Sequence, residues 1–102
     1  MSLIVVYVTH ENESAARELA DAVVQQRLAA CANLFPIQSA YWWQGELQHE
    51  AEWVSLLKST PEQWAPLRQL VEQLHPYDVP CVIKYEVQAN EAYERWVREQ
   101  VS

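Results

Sequence analysis

At 102 residues the chain makes one domain, taken as residues 1–102, and a 50% hydrophobic content calls for a packed globule rather than disorder. Seven Lys and Arg against 14 Asp and Glu leave a net charge of −7 with no basic cluster, which excludes the electropositive footprint of a nucleic-acid binder. Gly45 is the one glycine, so the Gly-rich loops that cradle phosphates in common dinucleotide and nucleoside-triphosphate sites are excluded too.

In chain order, Leu3–Thr9 is a β-branched and aromatic run and reads as a buried strand. Its apolar stretch lacks a basic lead and is too short for a signal segment or a membrane span, so a cytoplasmic protein without a membrane partner is expected. Cys31 and Cys81 are then expected as free thiols. Asn12 is placed to cap a helix from about Glu13 to Arg27, with Ala16, Leu19, Ala20, Val23 and Val24 on one stripe. Leu28–Ala32 leads into a second strand that continues through Ile37 to Trp43, with a break or bulge expected near Pro36.

Gln44-Gly45 reads as a tight hairpin turn, and the third strand runs from Glu46 to Lys58. Leu47, Ala51, Trp53 and Leu57 are predicted on one face, and Gln48, Glu50, Glu52 and Lys58 on the other. A hairpin this long overhangs a domain of this size, and another subunit is the expected cover. Thr60, Pro61 and Gln63 carry the marks of a helix start with a capping box. Trp64, Leu67, Leu70, Val71 and Leu74 form its predicted buried stripe, Pro66 conflicts locally, and Pro76 ends the helix by His75. Cys81–Val87 is a fourth strand, and Asn90 is placed to cap a last helix, Glu91 to Gln100, with Tyr93, Trp96 and Val97 on one face. The order β-α-β-β-α-β plus a C-terminal helix predicts an α/β ferredoxin-like sandwich: a four-stranded antiparallel sheet with both crossover helices on one face.

Few residues offer chemistry. His75 is either a polar residue at a helix end or a metal ligand, and Cys81 is either a small buried hydrophobe or a soft ligand. An imidazole and a thiol together suit copper or zinc, although three donors are the practical minimum. His10, at the end of the first strand, is either a loop residue or the third donor, since antiparallel pairing of the first and fourth strands brings it towards Cys81. Cys31 reads as core. Tyr41, Trp42 and Trp43 read as interface residues rather than a base-stacking platform. No enzyme is expected: there is no GxSxG elbow, and His75 and Cys81 lack an orienting acid and oxyanion donors. The loop after the first strand, HENES, is acidic and does not suit an acylphosphatase-like anion site.

The segments LAACANLFPIQSAYWWQGELQHEAEWVSLLKST (Leu28–Thr60), HPYDVPCVI (His75–Ile83) and AYERWV (Ala92–Val97) resemble those of the CutA family of divalent-cation tolerance proteins. The likeness covers nearly the whole chain. It implies a homotrimer of ferredoxin-like protomers whose long hairpins cross subunit edges, an assembly similar to that of the P-II signalling proteins. It also implies a part in divalent-metal tolerance, with copper or another divalent metal as the ion, no required cofactor and no enzymatic activity. The metal set that follows is His75, Cys81 and His10, beside an inter-subunit pocket with Tyr77, Trp42 and Trp43. Two positions depart from the family pattern: Cys81 stands where Glu is usual, and Val8 where some members carry Cys. Lys84 and Glu86 are unusual in a strand that tends to be apolar in the family, so one face of it is expected to be solvated or differently paired. Two other readings stay open: a P-II-like module whose inter-subunit cleft takes a small molecule, and a structural trimer that scaffolds a partner.

Overall fold

The computed structural model describes residues 2–101. The elements run β1 (Leu3–His10), α1 (Glu13–Gln25), β2 (Cys31–Trp43), β3 (Glu46–Ser59), a 3-10 turn (Pro61–Gln63), α2 (Trp64–Leu74), β4 (Val82–Val87) and α3 (Glu91–Gln100). The four strands make one antiparallel sheet in the order β2-β3-β1-β4. This is the ferredoxin-like arrangement predicted, with the extra helix in place.

Alternation along the strands gives the sheet two different faces. Ile4, Val6, Val8 and Leu57 turn to α1 and α2 and join Leu19, Val23, Leu67 and Val71 in the core. The opposite face carries Tyr7 beside Ile83 and Leu56, and Val5 beside Tyr85 and Lys58. On that face α3 lies over the start of β2, where the Cys31 thiol and the Tyr93 hydroxyl are 3.2 Å apart. The Lys58 ammonium sits 5.6 Å from the centre of the Tyr93 ring. Ile83 and Tyr85 are left 43% and 53% exposed, a second apolar surface on a sheet already packed on its other side.

Local chemistry fixes the ends. The Asn12 side chain accepts the Ala15 N–H at 2.8 Å and caps α1 as predicted. The helix stops at Gln25, short of the expected Arg27, because Arg27 takes a left-handed conformation with φ 58°. Its N–H then bonds the Val24 carbonyl and the Leu28 N–H bonds that of Val23, the Schellman pattern made without a glycine. Gln44 and Gly45 both have positive φ, 50° and 81°, as a two-residue turn between twisted strands requires.

Several expectations are corrected. No bulge forms at Pro36: the β2–β3 register is unbroken from Cys31↔Lys58 to Trp43↔Glu46. Pro36 is tolerated because β2 is an edge strand, where its missing N–H can face away from the ladder. The Thr60 hydroxyl does not cap, and Pro61 opens a 3-10 turn instead, so α2 starts at Trp64. That shift puts Pro66 in the first turn, where a missing N–H costs little. Asn90 holds the cap position of α3 without a side-chain bond. Leu74 is 48% exposed; the buried row is Leu67, Val71 and then His75, each four residues on. The face of β3 predicted to be polar contains buried Val54 and buried Glu52, while Leu47 on the apolar side is 53% exposed. The expectation of a solvated face on β4 holds, by contrast: Lys84 and Glu86 are exposed opposite Val6 and Ile4 at the β4 edge, with the Lys84 ammonium 5.2 Å from the Trp64 ring centre.

The protomer measures 45 × 23 × 21 Å. Thirteen strand residues span ~44 Å at ~3.4 Å each, so β2 alone accounts for the long axis. The pairing of β1 with β3 ends at His10↔Trp53, so the ribbon from Ile37 to Glu52 has no third strand. Leu67→Ala is expected to cost ~2–5 kcal/mol by opening a core cavity. Leu74→Ala should stay within ~0.5 kcal/mol. Urea midpoints at one fixed protein concentration distinguish the two.

Candidate functional site

The candidate residues gather at the end of the sheet where β1 stops and the hairpin ribbon begins. His10 is not the loop residue that one reading expected. It is the last rung of β1, opposite Trp53, and is 2% exposed. Its Nε2 lies 2.8 Å from the Ser55 hydroxyl oxygen. His75 ends α2, is 8% exposed, and stacks on His10 with ring centres 5.3 Å apart. His75 Nε2 is 2.7 Å from the Thr9 carbonyl oxygen, and Nδ1 accepts the Tyr77 N–H at 3.2 Å. A carbonyl can only accept, so Nε2 carries the proton, and both ring nitrogens are engaged.

Cys81 lies beyond the end of the ladder in which Val8 pairs with Val82, and strand alternation places it on the sheet face away from His10. It lines an open groove with Tyr7 and Thr9. Burial pushes its thiol pKa up, a hydrogen bond with Thr9 pulls it part of the way back, and Glu52 pushes it up again. A thiol held protonated in this way is a poor nucleophile at neutral pH. Val8, where some family members carry Cys, is wholly buried in the core. Among the described residues no group of three or more His, Cys, Asp and Glu side chains converges as a metal cage. The structure therefore brings His10 and His75 together and leaves Cys81 on the other side of the sheet.

Tyr77, Trp42 and Trp43, read from the sequence as pocket residues, do share one groove, and Cys81 lines it as well. The groove is an open cleft of about 1370 Å³ between the helix-free underside of the ribbon and the Pro76–Val79 segment. Pro76 ends α2, and the extended backbone of His75 turns this segment back over the sheet. The Tyr77 hydroxyl donates to Glu52 Oε2 at 2.8 Å, and the Tyr41 hydroxyl to Glu50 Oε2 at 2.8 Å. Burial, and then the bond to Glu52, raise the Tyr77 pKa far above its ordinary value. Trp42 at the ribbon tip is 73% exposed. Sequence reasoning missed Glu52, which was assigned to a solvated face. Its signal was its place two residues from Val54 and four from Leu56 on a face that is apolar nearer the base.

Burial, with His75 beside it, lowers the His10 pKa from 6.5 to about 4. The unfolded chain then binds a proton near pH 6.5 that the folded chain refuses until about pH 4. This contribution to stability is complete above 6.5 and is lost as pH falls through that window, by up to ~3 kcal/mol. Thermal melting followed from pH 7 to pH 4 should show the loss, and His10→Gln should flatten that part of the curve.

Comparison with known proteins agrees with the fold. The family model for CutA1 divalent ion tolerance proteins matches residues 4–100. The divalent-cation tolerance protein CutA of Thermotoga maritima is 38% identical over 100 residues, covering 97% of this chain and 99% of that protein. The crystal structure of CutA1 from Oryza sativa superimposes with a TM-score of 0.95 at 36% identity, over 100% of this chain and 95% of that one. The structure described as the periplasmic divalent cation tolerance protein CutA from Archaeoglobus fulgidus gives a TM-score of 0.95 at 29% identity, over 98% and 99% of the two chains. Among the described residues no helix is long and apolar enough to cross a membrane. The chain belongs to the CutA1 divalent ion tolerance family.

Proposed function

We propose that this protein acts as a homotrimer in divalent-metal tolerance, by binding rather than by catalysis. The observation that carries the proposal is the unsupported ribbon from Ile37 to Glu52 together with the exposed Ile83 and Tyr85 on the face opposite α1 and α2. A two-stranded ribbon is marginal in water, and an apolar sheet face of this kind calls for cover. Second copies of the chain supply both in a closed assembly. In this reading copper is taken between subunits. The Cys81 thiol is the soft donor, and another protomer completes the set at the groove. Ligation must remove the Cys81 proton against the burial that holds it, so uptake weakens as pH falls.

A second reading has its own support. Tyr77, Trp42, Trp43 and Cys81 line one groove large enough for a metabolite, and an inter-subunit cleft of the P-II kind would take a small molecule there. Native mass spectrometry of the metal-free protein, repeated with one equivalent of copper per chain under reducing conditions, tests the metal reading. A trimer that gains three copper ions, with a Cys81→Ser protein that gains none, is the expected result. A trimer that gains none removes copper and leaves the small-molecule reading. A monomer in either run removes the assembly.

A further inference from the structure

We infer that the groove beneath the hairpin ribbon binds a small organic cation of the amine or guanidinium class. The inference rests on the small-molecule reading of that groove and names its ligand. Five aromatic side chains line the groove: Tyr7, Tyr41, Trp42, Trp43 and Tyr77. Its charged residues are Glu11, Glu50, Glu52 and Asp78, with no Lys, Arg or His in the lining. An anion would meet four carboxylates there and nothing to offset them. A cation would meet carboxylates and the negative faces of aromatic rings, and weakly hydrated heads such as guanidinium gain most from the rings.

Two further observations separate an organic cation from a bare metal ion in this groove. A hard divalent ion needs about six oxygens closing on one point, and the acidic groups here do not converge into such a cage among the described residues. Glu50 and Glu52 stand two residues apart on one face of β3, about 7 Å along the strand, so they present two separate points of negative charge. Glu52 and Glu50 are each aimed by a tyrosine hydroxyl, at 2.8 Å in both cases. Glu52, 7% exposed, lies buried in the wall with Oε2 held by Tyr77. A buried carboxylate with no ion-pair partner among the described residues is costly, and a bound cation offsets that cost. The exposed indole of Trp42 and the half-exposed indole of Trp43 supply the rim and an optical signal.

Agmatine, with an amine at one end and a guanidinium at the other, is the probe for the full-length protein in its native oligomer. Tryptophan fluorescence is followed during titration, in parallel with the anionic dye anilinonaphthalene sulfonate and with magnesium at matched ionic strength. The expected result is saturable agmatine binding at or below ~1 mM, no response to magnesium and none from the dye. Glu52→Gln and Glu50→Gln should each weaken agmatine by about tenfold. Glu50 is exposed, so its variant folds even if the Glu52 variant does not. Dye binding without agmatine binding keeps the groove as a ligand site and overturns the cationic preference. Equal binding of dye and agmatine, or an equal magnesium response, overturns it as well. Silence from all three probes overturns both this inference and the small-molecule reading beneath it.

Discussion

Cys31–Trp43 and Glu46–Ser59 pair rung by rung without interruption, and the other elements take their places from that ladder. A bulge at Pro36 would have turned every later side chain of β2 to the opposite face. Because the register holds, Ile37, Ser39, Tyr41 and Trp43 all fall on the helix-free side and become the roof of the groove. The same ladder carries the hairpin past the last rung of β1, so the rungs from Ile37↔Glu52 to Trp43↔Glu46 rest on two strands. The groove lies along this unsupported ribbon, where the single protomer offers least cover.

The face under α1 and α2 and the opposite face divide the chemistry between them. On the first, His10 and His75 are buried, stacked and bonded to Ser55 and the Thr9 carbonyl, and they act as a polar plug at the end of the core. Neither ring is idle, because buried polar atoms without partners are expensive. On the second face lie the thiol, the carboxylates and the aromatic rings, open to whatever enters. The imidazoles hold the Pro76–Val79 segment in position, through the bond from the Tyr77 N–H to His75, and that segment forms one wall of the groove.

Periodicity made most of the architecture legible. The alternation and β-branching of Leu3–Thr9, the capping Asn12 and the Gln44-Gly45 turn each depend on neighbours in sequence, and each was readable. The site was legible only in part. Trp42, Trp43 and Tyr77 were assigned to a pocket between subunits through the resemblance to the CutA family; in the protomer all three line one groove. Spacing alone could not show that His10 and Cys81 end on opposite faces, since that depends on one residue of register between β1 and β4. Glu52 was hidden for a related reason: a carboxylate at a polar-looking position is buried when the segment from a distant helix end folds over it. Leu74 and His75 exchanged their expected roles because the buried row of α2 runs at steps of four past the last helical turn.

Thr9 touches both halves of this arrangement. Its carbonyl fixes the His75 ring, and its side chain bonds the Cys81 thiol on the far side of the sheet. One residue thus joins two compartments that share no space. A displacement of the thiol therefore acts first on Thr9, whose carbonyl anchors the imidazole. The sheet keeps the two chemistries apart, while Thr9 through the strand and Tyr77 around its end tie them together mechanically.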